Sequence, residues 1–161
     1  MGELKRIFLR PSARTPVREV ASARALAGRG IEGDHAGGGA RQVTLIEQER
    51  WEEACGDLGR ELSPGARRAN LVVAGVRLAD AIGRELRVGD CRFQIVAETR
   101  PCKLMEDAAA GLQRALDPDC RGGVYCRILT GGELRVGDPI EIEEPRAAQK
   151  SLEFAPEGAG A

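Results

Sequence analysis

Gly83-Arg84-Glu85-Leu86-Arg87-Val88-Gly89-Asp90 returns, nearly unchanged, as Gly131-Gly132-Glu133-Leu134-Arg135-Val136-Gly137-Asp138. In each copy an alternating run leads into a Gly-Asp pair suited to positive φ, and a second alternating run follows. The spacing predicts two hairpins, 85–88 with 93–99 and 133–136 with 140–143. Such copies fit a duplication and a barrel built from similar hairpins equally well; they are structural punctuation, not a site. Further short strands are expected at 5–9, 17–21, 42–46, 71–73 and 124–129. Helical spacing occurs twice. Trp51, Ala54, Cys55 and Leu58 predict a helix over 47–57, and Leu104, Ala108, Leu112 and Ala115 one over 103–116, stopped by Asp117-Pro118. Many short strands with few helices give the fold class: mainly β (α+β), a β-barrel decorated by two or three short helices.

The 161 residues suffice for one domain with a real core, expected over 1–143 and followed by a flexible tail, 144–161, rich in Pro, Ala, Glu and Gly. Hydrophobic residues make up 42% and charged residues 30%, as in ordinary soluble chains. A net charge of −1 supplies no global field to draw in nucleic acid or an anionic membrane surface. No apolar run approaches the roughly 20 residues that cross a bilayer, and no signal-peptide core follows Met1. Five cysteines, an odd number, argue for reduced thiols and a cytoplasmic protein. Cys55 and Cys91 sit among apolar neighbours as small core residues, and no Cys-x-x-Cys pair signals structural zinc. Of the 24 basic residues all but Lys5, Lys103 and Lys150 are arginine, which fits a codon bias and also bidentate binding of phosphate or carboxylate.

Four stretches could carry chemistry. In Thr99-Arg100-Pro101-Cys102-Lys103, a thiol stands between a strand and the predicted helix. Unpaired amides there favour an anion, and Arg100 and Lys103 add positive charge, so Cys102 reads as a nucleophile, a persulfide carrier or a soft-metal ligand, or else as a buried inert thiol. Arg67-Arg68-Ala69-Asn70 offers two guanidinium forks and an amide to a phosphate or a pterin-like edge, or is a solvated loop. Between Gly30 and Arg41, glycines flank Asp34 and His35, the one histidine; backbone amides here could meet an anion, but the Gly-Lys-Ser/Thr ending of a phosphate loop is missing. Finally, Cys120-Arg121-Gly122-Gly123 enters a strand with a bulge or close chain approach, and could bring Arg121 to the Cys102 pocket or Cys120 or Cys126 as a resolving thiol.

In order along the chain, these segments resemble the MOSC domain, the C-terminal module of molybdenum cofactor sulfurases. The resemblance runs through Gly30-x-x-Gly33-Asp34-His35, Arg41-Gln42-Val43-Thr44-Leu45, Arg68-Ala69-Asn70-Leu71 with Gly75, and Gly89-Asp90. It continues in Arg100-Pro101-Cys102, Arg121-Gly122-Gly123, Thr130-Gly131-Gly132 and Val136-Gly137-Asp138. It covers about 5–143, and the Pro-Cys-x-x-Met-Glu form is similar to small stand-alone bacterial members.

The resemblance implies a MOSC-type β-barrel that binds molybdenum cofactor (molybdopterin), with the Cys102 thiolate as ligand to molybdenum. Arg68, Asn70 and Arg100 would meet pterin and phosphate, while Pro101, Asp34, His35, Arg41, Arg121 and Gly122 would line the pocket. An enzyme of this kind would be a molybdenum oxidoreductase reducing N-hydroxylated compounds with an external electron-donor protein, since no flavin, haem or iron–sulfur motif is present. Other members are proposed to carry sulfur, so the same thiolate equally fits a sulfurtransferase loaded as a persulfide by a separate cysteine desulfurase. A third alternative is a non-catalytic cofactor chaperone. Larger relatives place another β-rich domain ahead of this module; the part of the site it supplies is expected here from a homodimer or a partner. The sequence also lacks the pyridoxal-phosphate domain of a complete sulfurase.

Overall fold

The computed structural model describes residues 1–143; the tail expected over 144–161 lies outside the described residues. Its strands are β1 (Gly2–Leu9), β2 (Arg18–Val20), β3 (Ser22–Leu26), β4 (Gly30–Ile31), β5 (Val43–Glu47), β6 (Leu71–Ala74), β7 (Glu85–Val88), β8 (Cys91–Glu98), β9 (Val124–Thr130), β10 (Gly132–Arg135) and β11 (Pro139–Ile142). Helices α1 (Gln48–Leu58), α2 (Lys103–Ala108) and α3 (Leu112–Ala115) pack outside them.

Seven strands, in the order β1-β6-β5-β9-β8-β7-β11, close into a barrel because β11 pairs with β7 on one side and β1 on the other. Closure removes the unpaired edges of an open sheet. Period-two alternation fills the inside: Leu86 and Val88 on β7, Phe93 and Ile95 on β8, and Val124, Cys126 and Ile128 on β9 are all buried in one cluster. Strands β5 and β6 run parallel, with Leu45 opposite Leu71, and are apolar on both faces. The reason is the crossover between them. It carries α1 over the barrel wall, where Ile46 and Val72 meet Trp51, Ala54, Met105, Leu112 and Leu116 in a second cluster. Each such aliphatic or aromatic side chain contributes on the order of 1.5–3 kcal/mol on full burial.

The first Gly-Asp copy forms the predicted hairpin, with Val88 opposite Cys91 and Glu85 opposite Gln94. The second does not. Strand β10 pairs with β3 in a small three-stranded sheet, while β11 leaves to close the barrel. The turn between them is held by other strands: Gly137 N–H donates to Leu4 O at 2.8 Å, and Leu4 N–H to Asp138 O at 2.9 Å. Closure by β1 thus outcompetes the local hairpin. The helix expected over 103–116 also breaks. Ala109 is extended (φ −160°) and Gly111 is left-handed (φ 86°), with Gly111 N–H donating to Glu106 Oε2 at 2.9 Å. The break lets both Met105 and Leu112 reach the α1 cluster. Among the described residues no helix is long and apolar enough to cross a membrane.

Gly123 fixes the start of β9. Its φ is +94°, and a Cβ there would lie 2.1 Å from Leu45 O. Gly123→Ala is therefore expected to cost about 2–4 kcal/mol, read as a lower urea midpoint at unchanged slope. Gly56 in α1, where a Cβ meets nothing within 4 Å, is the control; alanine there should stabilise by roughly 0.5–1 kcal/mol.

Candidate functional site

Strand β8 ends at Glu98, and Thr99 to Pro101 carry the chain to Cys102, the residue that caps α2 and whose carbonyl accepts from Met105 N–H at 2.9 Å. Cys102 is the exposed cysteine of the five: Cys55, Cys91 and Cys126 are buried, and Cys120 is half-buried. Burial pushes the Cys91 and Cys120 thiols up to about 11, and the Cys126 thiol upward as well. Helix α2 has six residues, too short for the dipole contribution that the sequence suggested. The positive charge at this site comes from arginines.

One of these, Arg67, was not singled out by the resemblance. A one-turn 3-10 helix, Pro64–Arg67, begins with the Ser63 side chain accepting from Gly65 N–H and delivers Arg67 to the interior, 8% exposed. Arg67 Nε donates to Gly122 O at 2.9 Å and Nη2 to Thr99 O at 3.0 Å, which joins the two loops flanking Cys102. A Cβ on Gly122 would lie 2.6 Å from Thr99 O, 3.3 Å from Pro101 Cδ and 3.4 Å from Arg67 Nη2, so glycine lets this junction close. Among the described residues Arg67 forms no ion pair with a carboxylate, and its Nη1 makes no hydrogen bond. Burial lowers the Arg67 pKa from its ordinary value; the Cys102 sulfur opposes this, and the charges of Arg41 and Arg10 add to it. Thr99 Oγ1 is likewise buried without a partner.

Arg68 turns the other way. It is left-handed (φ 63°), and its guanidinium donates to Thr15 O at 2.6 Å and Ser12 O at 2.9 Å, pinning the loop after β1. Asn70, fully buried, spends its amide internally: Nδ2 donates to Phe8 O and Asp34 Oδ1, and Oδ1 accepts from Thr44 N–H, Thr44 Oγ1 and Arg10 Nη2. Both amide hydrogens are thereby used. Asp34 is clamped by Arg10 at 2.8 Å, with side chains 0% and 13% exposed. His35 is exposed, with its backbone N–H on Arg10 O. Arg41 is exposed and stacked on Tyr125, 5.0 Å from the ring centroid. Arg100 is exposed and Pro101 half-buried.

Arg121 does not point at the Cys102 loop. It pairs with Asp57 at 2.7 Å and Glu53 at 3.6 Å on α1, and donates to Ala115 O. The structure thus joins Gly122 and the Thr99–Cys102 loop through Arg67, whereas Arg68, Asn70 and Arg121 brace the frame. Adjacent arginines carry no signal in sequence for which one turns inward.

A family model for the MOSC domain matches residues 32–141, most of the chain. The chain belongs to the MOSC domain family. Solved structures agree in fold. The YuaD protein from Bacillus subtilis superposes with a TM-score of 0.75 at 17% identity, covering 91% of this chain and 98% of that one. YiiM from Geobacillus stearothermophilus gives 0.73 at 17%, covering 99% and 87%. YiiM from Escherichia coli gives 0.68 at 15%, covering 89% and 71%. No curated protein matches in sequence. At these identities the superpositions establish the MOSC barrel alone.

Asp34 offers a test of the frame. Burial raises its pKa, but hydrogen bonds from the Arg10 side chain and backbone, the Arg10 charge and the Ala36 N–H together hold it below the ordinary carboxylate value. Its contribution to stability is complete above about pH 4 and is lost as the pH falls through the lower folded value. Asp34→Asn should cost about 3 kcal/mol at pH 7, with the gap in Tm from wild type narrowing below pH ~4. A gap constant down to pH ~3 would contradict the pair's role.

Proposed function

We propose that this MOSC protein binds the molybdenum cofactor, with the Cys102 thiolate as ligand to molybdenum. The observation that carries the reading is Arg67: a residue 8% exposed, without a carboxylate partner among the described residues, and bound to Thr99 O in the loop that leads to the exposed Cys102. A buried cation of this kind favours an anionic group at the same place. The cofactor's anionic end meets that need: Arg67 Nη1 makes no hydrogen bond among the described residues, and the buried Thr99 Oγ1 has no partner. Arg67, Arg41 and Arg100 would hold that end, with Pro101 and Gly122 as the wall. Cys102, exposed at the head of α2, would present its sulfur to the metal. Asn70 and Arg68 hold the Arg10–Asp34 pair and the 12–15 loop in place and keep their present partners.

The bound group would supply two-electron redox chemistry, for which an N-hydroxylated compound is the substrate class and a separate protein the electron donor. The residues around it orient the group and neutralise its charge. Tyr125 keeps the Arg41 guanidinium in place before binding, which lowers the ordering cost.

Anaerobic incubation of the reduced protein with molybdenum cofactor, followed by desalting and metal analysis, tests the reading. Wild type should retain molybdenum and Cys102→Ser should lose it. Arg67→Lys, which keeps the charge but not the fork, should bind roughly tenfold more weakly. Equal retention by wild type and Cys102→Ser would rule out the ligand role.

A further inference from the structure

We propose that an acidic electron-donor protein docks on a strip of unpaired arginines, Arg29 and Arg127 with Arg41 at its inner end, on the barrel wall beside the site. The inference rests on the proposed function. Turning an N–OH group into N–H and water takes two electrons and two protons; solvent supplies the protons, and a second redox protein the electrons.

Hydrogen bonds hold the three arginines in one patch. Gly28 N–H donates to Ile128 O at 2.9 Å, which lays the turn carrying Arg29 against β9. Gly38 N–H donates to Arg29 O at 2.7 Å and joins that turn to the loop carrying Arg41. Gln42, the next residue, donates its N–H to Cys126 O at 3.0 Å and accepts from Ile128 N–H at 2.8 Å, so it brackets Arg127. Val124, Cys126 and Ile128 fill the core, and the residues between them, Tyr125 and Arg127, face outward. Arg41 lies over the Tyr125 ring. The strip ends at the site, because Ala97 is opposite Tyr125 and Thr99 N–H donates to Gly123 O at 2.8 Å.

The neighbouring wall is neutralised. On β7 and β8, Arg87 pairs with Glu141 at 2.6 Å, and Arg92 with Glu85 and Glu143. Arg29, Arg41 and Arg127 are exposed, with no ion pair and no side-chain hydrogen bond among the described residues, and Gln94 opposite Arg127 is neutral. In a chain of net charge −1, three free guanidinium groups on one face make a local positive field that steers an acidic surface toward it. Arginine sheds its hydration more readily than lysine, which suits an interface. Leu129, 43% exposed on the same strand, adds an apolar contact. Nucleic acid fits less well: among the described residues no aromatic side chain is exposed as a stacking platform, and Arg41 occupies the Tyr125 ring.

The test titrates the reduced full chain, without molybdenum, into an acidic flavodoxin and reads its flavin fluorescence. Wild type should bind, and more weakly as salt rises. The pair Arg29→Glu and Arg127→Glu should raise Kd at least about tenfold. The pair Arg18→Glu and Arg60→Glu, exposed on β2 and after α1, changes net charge equally and should bind as wild type does. A basic cytochrome c should not bind. With cofactor loaded, the Arg29 and Arg127 pair should lose flavodoxin-driven turnover and keep dithionite-driven turnover. No flavodoxin binding by wild type, equal weakening by both pairs, or tighter binding of cytochrome c or a short RNA would overturn the proposal. Molybdenum retention reads the proposed function separately, so either can fail alone.

Discussion

Ile140 faces Gly2 across one ladder and Val88 across the other, and this double pairing turns a sheet into a closed barrel. Everything at the site depends on it. Closure fixes the ring of seven strands, and with it the places where β8 ends and β9 begins, the two points that hold Cys102 and Gly122. It also sends the turn at Val136 to Asp138 onto β1, through Leu4, instead of into a local hairpin. A strand that could have folded back on its neighbour is used to bring the two ends of the described chain together.

On that frame, two polar networks divide the work. One lies behind the site, where Asn70 ties Thr44, Phe8, Asp34 and Arg10 together with both of its own amide hydrogens used. The other lies at the site, where Arg67 ties Thr99 O to Gly122 O and keeps donors unspent. A buried network with its hydrogen bonds made specifies geometry, and a buried polar group left without a partner is costly. Both networks are built around arginine, Arg10 in one with a carboxylate partner and Arg67 in the other with carbonyl partners.

Strands with strict alternation, such as Leu86 and Val88 or Phe93 and Ile95, were legible in the sequence, as was α1 from Trp51, Ala54 and Cys55. The barrel class followed from them, whereas the exposure of Cys102 is read from the structure alone. Strand β3, Ser-Ala-Arg-Ala-Leu, was not legible, since its residues have weak β preference and it exists because β10 pairs with it. Nor was the break at Ala109 to Gly111, hidden in an alanine-rich run that favours helix until packing against Leu58 requires Gly111. Arg67 and Arg68 show the sharpest limit. They are neighbours of one type, and only the 3-10 turn, a tertiary choice, sends the first inward and the second to the 12–15 loop.

Arg67 is 8% exposed and has no carboxylate partner among the described residues, so its charge is less well solvated in the folded chain than in the unfolded one. Any anion that settles against Arg67 therefore binds the folded chain and not the unfolded one, and stability becomes a function of occupancy: at 100 times the dissociation constant such an anion adds about 2.7 kcal/mol. The melting temperature of this protein is then a binding assay in itself.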